Sequence, residues 1–194
     1  MPDAITLLKA DHKSVEALFK KFEKAGDKAY KTKRDIVDKI VEELSVHAAI
    51  EEQVFYPAVR QAVPEADDEV LEGLEEHHIV KWTLSELDGM DPEHERFTAK
   101  VTVLIESVRH HVEEEESEMF PKVREALGRK ALGEIGDAME QAKKVAPLRP
   151  HPRQPDEPPG NLVAGPAAAA FDRARKAGME AVERGLQAVR SRRS

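Results

Sequence analysis

Apolar residues recur at steps of three and four in four consecutive stretches of this chain, each long enough to be a helix. In the first, Ile5, Leu8, Val15, Phe19 and Phe22 share one face, the period of an amphipathic helix and not of a strand. Asp3 stands where an N-cap belongs and Gly26 where the helix should stop. The second stretch predicts a helix over residues 28–60 on the stripe Ile36, Ile40, Leu44, His47, Glu51, Phe55. Pro64 opens a third, with Val70, Leu74, Val80, Leu84 and Leu87 on one side, ending near Gly89. Asp91-Pro92 reads as an N-cap followed by proline at the first helical position, so a fourth helix is predicted from there to Leu127, on Phe97, Val101, Leu104, Val108, His111, Glu115 and Met119. Four such helices on short connections predict an all-α fold, an antiparallel up-down four-helix bundle. With a shorter fifth helix over residues 130–144, the bundle is expected to fill residues 1–145.

Polar residues interrupt these stripes in a regular way. His47 and Glu51 lie four apart on the buried face of the second helix, and His111 and Glu115 repeat the pair 64 residues later, each followed by an aromatic-proline step, Tyr56-Pro57 and Phe120-Pro121. The first and third helices match as well: DHKSVEALFKKF lies over EHHIVKWTLSEL, which puts His12 on His77 at a shift of 65. The chain is thus a duplicated helical hairpin. His12 continues the face of Leu8 and Val15, His77 that of Leu74 and Val80, His47 that of Leu44 and His111 that of Val108. His78 and His110 fall off the stripes among charged neighbours and are expected at the rim. Glu52, Glu113, Glu114 and Glu116 are expected to face water, Tyr56 and Trp82 to serve as packing, and the two prolines to loosen the last turn of their helices.

Residues four apart lie one turn apart on one face, so each His-x-x-x-Glu pair offers a nitrogen and an oxygen to one centre. Two such pairs and one histidine from each remaining helix make four imidazoles and two carboxylates. Two uncompensated buried carboxylates would cost several kcal/mol each, and two divalent cations remove that cost. The chain has no cysteine, which excludes thiolate zinc, iron–sulfur clusters and disulfides. A mixed nitrogen and oxygen donor set with open positions suits iron, ahead of manganese or zinc.

These residues, on four successive helices, resemble the hemerythrin-like (HHE cation-binding) family over residues 3–127. The resemblance implies a non-haem di-iron centre held by His12, His47, Glu51, His77, His111 and Glu115, with the two glutamates bridging two irons. Ferritin-like carboxylate proteins use the reverse order and a shorter spacing, Glu-x-x-His. Oxygen-carrying hemerythrins have a further histidine one turn from the third-helix ligand, where this chain has Gly73 on one side of His77 and Lys81 on the other. That departure points away from reversible oxygen carriage. The expected role is binding of, or reaction with, a small oxidant (oxygen, hydrogen peroxide or nitric oxide) in oxidative or nitrosative stress or iron homeostasis. Peroxide disproportionation is the enzymatic form of that reading, and a non-enzymatic sensor or carrier signalling through the C-terminal tail is the alternative.

Charge refines the picture. Residues 146–194 hold nine Lys/Arg and five Asp/Glu, leaving residues 1–145 with 21 against 33, a net −12 within the chain's −8. The bundle should repel nucleic acid, while the tail is a candidate for a protein or anionic-surface partner, and self-association is open. Seven of the twelve prolines fall in residues 147–166, which predicts an extended linker over 146–168 and a basic amphipathic helix over 169–194. No stretch approaches a membrane span and no leader is recognisable at the N-terminus, so the expected location is the cytoplasm.

Overall fold

The computed structural model describes residues 2–161 together with 168–170, 172, 173 and 176. Helix α1 (Ala4–Lys24) is capped by Asp3, whose Oδ1 accepts the Thr6 N–H at 2.8 Å. Helix α2 (Tyr30–Ile50) runs through a π-helical turn (Glu51–Phe55) into α3 (Tyr56–Ala62). Pro64 opens a single 3₁₀ turn (Pro64–Ala66), and α4 follows (Asp67–Leu87). Helix α5 (Phe97–Glu114) passes through a second π-turn (Glu115–Met119) into α6 (Phe120–Val145). Among the described residues there is no strand, and the architecture is the predicted all-α bundle.

Two boundaries differ from the expectation. The fourth helix does not start at Pro92. Asp91 Oδ1 does accept the Glu93 N–H at 2.9 Å, but the chain then makes two tight turns, His94 N–H to Asp91 O and Phe97 N–H to His94 O, before α5 begins. Residues 93–96 are Glu-His-Glu-Arg and offer no apolar side chain to hold a first turn against the core, and short helical turns are unstable without one. Phe97, fully buried, is the first that does. The fifth helix is the second limb of α6, set off by Gly128 at φ 67° and ψ 177°, a backbone state that favours glycine. That limb lies against the start of α1 so closely that a Cβ at Gly136 would sit 2.6 Å from Pro2 O.

The proline-rich segment, expected as an extended linker, instead lies on the bundle as far as residue 161. Arg149 Nη1 donates to Asp88 Oδ1 at 2.8 Å, and Asp156 pairs with Lys81 and with His78 Nδ1, the latter at 3.3 Å. Proline bars a helix here, but the segment's charges find partners on α4 and at its C-cap, Asp88. The predicted tail helix over 169–194 lies outside the described residues apart from 169, 170, 172, 173 and 176.

The core forms two apolar clusters. One, with Ile5, Leu8, Phe55, Tyr56, Val70 and Phe120, packs under α3 and α6. The other, with Phe19, Ile40, Leu84, Phe97, Val101 and Leu104, fills the opposite half. Between them lies a layer of buried imidazoles and carboxylates.

Candidate metal centre

The two π-turns shape this layer. Pro57 and Pro121 have no N–H to donate, so the regular helical ladder cannot continue through them. In both places the preceding residue reaches back five positions, Tyr56 N–H to Glu51 O and Phe120 N–H to Glu115 O. The widened turn brings one extra residue inward: Phe55 and Tyr56 are both buried, as are Met119 and Phe120. Such bulges are frequent at functional sites.

All six sequence-predicted residues come together, none more than 7% exposed. Glu51 Oε2 lies 3.0 Å from His47 Nε2 and 3.4 Å from His77 Nε2. Glu115 Oε2 lies 3.3 Å from His12 Nε2 and 3.7 Å from His111 Nε2. Each carboxylate therefore touches one histidine from each half of the repeat. The rings pair within halves, with His12–His47 centroids 4.9 Å apart and His77–His111 centroids 4.8 Å apart. Two donor groups result, one of His12, His47, Glu51 and Glu115 and one of Glu51, His77 and His111. His78 and His110 stay outside both, their side chains 42% and 61% exposed.

A set of carboxylates behind the rings completes the arrangement. His12 Nδ1–H donates to Glu116 at 2.9 Å, His77 Nδ1–H to Glu52 at 3.1 Å and His111 Nδ1–H to Glu76 at 2.7 Å, and His47 Nδ1 faces Asp11 at 3.5 Å. Holding three rings by Nδ1, with a carboxylate facing Nδ1 of the fourth, turns Nε2 and its lone pair to the centre and raises its basicity as a ligand. Three of these acids carry a lysine: Asp11 with Lys143 at 2.6 Å, Glu52 with Lys81 at 2.8 Å and Glu116 with Lys9 at 3.1 Å. Glu52 is thus a correction to the expectation that it faces water. It is 5% exposed, because the π-turn swings it inward and Lys81 and the proline-rich segment cover it. Glu116 too serves its histidine, though its side chain stays 34% exposed. The signal that could have found these four acids is the repeat itself. Asp11 matches Glu76 at the shift of 65, and Glu52 matches Glu116 at the shift of 64.

Tyr56 is more than packing. Its hydroxyl donates to Glu115 Oε1 at 3.0 Å, and Gly73 makes room for it, since a Cβ there would lie 2.9 Å from the hydroxyl oxygen. The matching positions in the other half are Phe120 and Leu8, so Glu51 receives no such bond.

The charge state is set by proximity. Burial lowers the affinity of His47 for its proton, but the Glu51 charge and the Asp11 carboxylate outweigh it and lift the imidazole to about 10. His77 rises likewise to about 9, burial being overcome by Glu51 and Glu52. Burial pushes the Glu51 carboxyl up, and His47 and His77 more than reverse this, holding it well below the usual carboxylate range. Burial and the Glu115 charge push the Tyr56 phenol well above its ordinary value.

Buried Nε2 of His12 and His47, both Glu51 oxygens and Glu115 Oε2 have no hydrogen-bond partner. Their contacts are close but aimed past one another, and each such orphan costs about 1–3 kcal/mol. Imidazole and carboxylate atoms converging in this way fit divalent cations, which would satisfy all of them at once.

Beyond the histidines the centre opens into a chamber of about 290 Å³, walled by Val15, Phe19, Leu44, Val80, Val108 and Val112. Glu16 and Arg109 also line it, and Arg109 ties α5 to α1 through Glu16 at 3.0 Å and Glu23 at 2.8 Å.

Fold and donor set together define a helical-bundle protein built to bind cations. The hemerythrin HHE cation-binding domain matches residues 3–123, and the chain belongs to that family. It is 30% identical over 166 residues to an uncharacterized hemerythrin-like protein of Schizosaccharomyces pombe, covering 85% of this chain and 81% of that protein. It is 28% identical over 137 residues to a DNA nickase of Nostoc, covering 71% of this chain and only 38% of that protein. A crystal structure of a hemerythrin HHE cation-binding domain-containing protein from Mycobacterium kansasii superposes with TM-score 0.62 at 25% identity, over 74% of this chain and 89% of that one. No helix among the described residues is long and apolar enough to cross a membrane.

Proposed function

We propose that this chain is a non-haem di-iron protein whose centre binds or reacts with a small oxidant: oxygen, hydrogen peroxide or nitric oxide. The observation that carries the reading is the contact of Glu51 and Glu115 each with one histidine from either half, which lets each carboxylate serve histidines of both hairpins. His12, His47, His77 and His111 would hold the metal, with Asp11, Glu52, Glu76 and Glu116 beside their Nδ1 atoms to aim them. Iron, when bound, supplies the electrons exchanged with the oxidant. Tyr56 holds Glu115 in place, and the aliphatic walls limit water at the open side of the histidines. Elemental analysis with an absorption spectrum, taken before and after peroxide, nitric oxide and air, tests this. Close to two irons per chain, lost in His47→Ala and His77→Ala but kept in His110→Ala and His78→Ala, is the expected result. Metal-free, colourless protein from iron-replete cells, melting at an unchanged temperature after iron is added, would sink it.

The second reading, a sensor that signals through its C-terminal segment, rests on one contact chain. Glu52, which holds His77, shares Lys81 with Asp156 of the proline-rich segment. If deletion of residues 146–194 changes neither ligand affinity nor turnover nor partner recovery, this reading falls.

A further inference from the structure

The chamber beyond the histidines is larger than a diatomic gas or peroxide needs. We propose that it is a binding site for an uncharged, apolar organic molecule of about one aromatic ring, seated against the open side of the histidine layer. Its volume of about 290 Å³ is roughly twice that of an apolar protein cavity known to take up benzene, about 150 Å³. Cores are otherwise close-packed, with few voids larger than a water molecule, so a space of this size is a feature of the bundle. Four of its walls are valines, Val15, Val80, Val108 and Val112, whose branched side chains are stiff and cannot swing in to fill it.

Chemistry selects the ligand class. The walls away from the histidines are aliphatic apart from Phe19, and they offer nothing to replace the water lost by a charged or strongly polar ligand. At the rim, Arg109 is already paired with Glu16 at 3.0 Å, leaving no free cationic group there to attract an anion. Arg109 also reaches Glu23 and lies 5.9 Å from the centre of the Phe19 ring, so it latches α5 to α1 across the mouth. A neutral ring gains by leaving water against these walls, and the polar atoms that do line the chamber, on the four histidines and Asp11, lie on its histidine side.

Toluene, with benzoate as the charged counterpart, tests this on the full chain, both metal-loaded and chelator-treated, by calorimetric titration and thermal melting. Toluene is expected to bind and raise the melting temperature, and benzoate is expected to do neither. Val80→Phe fills the chamber from within and Val112→Phe plugs it from the rim, where a larger side chain is easier to accommodate. Each should weaken toluene at least about tenfold, a difference of 1.4 kcal/mol, with metal content unchanged. The proposal is overturned if toluene leaves the wild-type chain unaffected, if benzoate binds equally well, or if both plugged variants keep full affinity. Metal counted on the same samples separates this idea from the di-iron reading: toluene binding to a chain that takes up no iron sinks that reading alone, and two irons without toluene binding sinks this one alone.

Discussion

Tyr56→Phe removes one oxygen and isolates one bond. In the folded chain the hydroxyl donates to Glu115 Oε1 at 3.0 Å, with Tyr56 1% and Glu115 2% exposed. Neither group meets water that could take over the contact. A buried hydrogen bond to a charged acceptor contributes about 1.5–3 kcal/mol, several times the ~0.5 kcal/mol of an exposed ion pair. Phenylalanine keeps the ring and its contacts, so the loss is the bond plus the cost of a carboxylate stripped of its one donor, since Glu115 Oε2 has none. We expect metal-free Tyr56→Phe to lose about 2 kcal/mol in urea unfolding. At this chain length that corresponds to a melting temperature lower by about 4–8 °C. The effect should vanish where there is no carboxylate to hold, so a double-mutant cycle with Glu115→Leu should return a coupling of about 2 kcal/mol. A loss below about 0.5 kcal/mol, or the same loss in the Glu115→Leu background, would refute the assignment of Tyr56 as the support of Glu115.

Four further outcomes follow from the same geometry. Gly136→Ala should destabilise the chain by about 1–3 kcal/mol despite alanine's better helix propensity, because the new Cβ would lie 2.6 Å from the fixed backbone oxygen of Pro2; urea unfolding that shows a gain would contradict the packing of α6 on α1. Without metal, His47 at about 10 and His77 at about 9 lie above their unfolded value of 6.5. Their stabilisation is complete below pH 6.5 and is lost as pH rises through 9 and 10, by about 1.4 kcal/mol per pH unit for each imidazole, which denaturation curves from pH 6 to pH 10 will measure. Metal uptake at pH 7 should by the same logic release about two protons and tighten as pH rises, which titration in buffers of different ionisation enthalpy will count. Asp156→Asn weakens the hold on Lys81 and through it on Glu52 and His77; metal affinity should fall by less than the 10–100-fold typical of losing a direct hydrogen-bond partner of a ligand, while Glu52→Gln should show that full loss in a competition assay with a chelator.

Much of the centre was legible in the chain because two periods coincide. The 3.6-residue phase put His12, His47, His77 and His111 on the apolar stripes, and the repeat showed that Glu51 and Glu115 belong with them. What phase alone hid lies where the regular helix fails. Glu52 is one residue past Glu51, and a uniform α-helix turns it outward; the π-turn enforced by Pro57 turns it back. The start of α5 differs from the expectation for a related reason. Asp91-Pro92 carries a strong local start signal, yet a helix needs an apolar anchor within its first turn, and none occurs before Phe97. The seating of residues 147–161 depends on pairs such as Arg149–Asp88 and Lys81–Asp156, which are 61 and 75 residues apart and leave no periodic trace.

The repeat also divides the centre into what is shared and what is not. The four histidines, the two glutamates between them and the four acids behind the rings all obey it, because an imidazole that is to serve as a metal ligand needs the same two things: an Nε2 facing the centre and a carboxylate beside Nδ1. The departures fall on residues that touch this set without belonging to it. Tyr56 and Gly73 stand where the other half has Phe120 and Leu8, so only Glu115 is held by a phenol. Lys81 stands where the other half has Glu16, and the exchange of sign recruits Asp156 on one side and Arg109 on the other. One half is thereby closed by the chain's own proline-rich segment, and the other carries the latch at the mouth of the apolar chamber. Duplication accounts for a symmetric pair of donor sets. Single substitutions at matched positions then make their surroundings unlike, which is what a centre needs if metal is to be kept on one side while ligands arrive from the other.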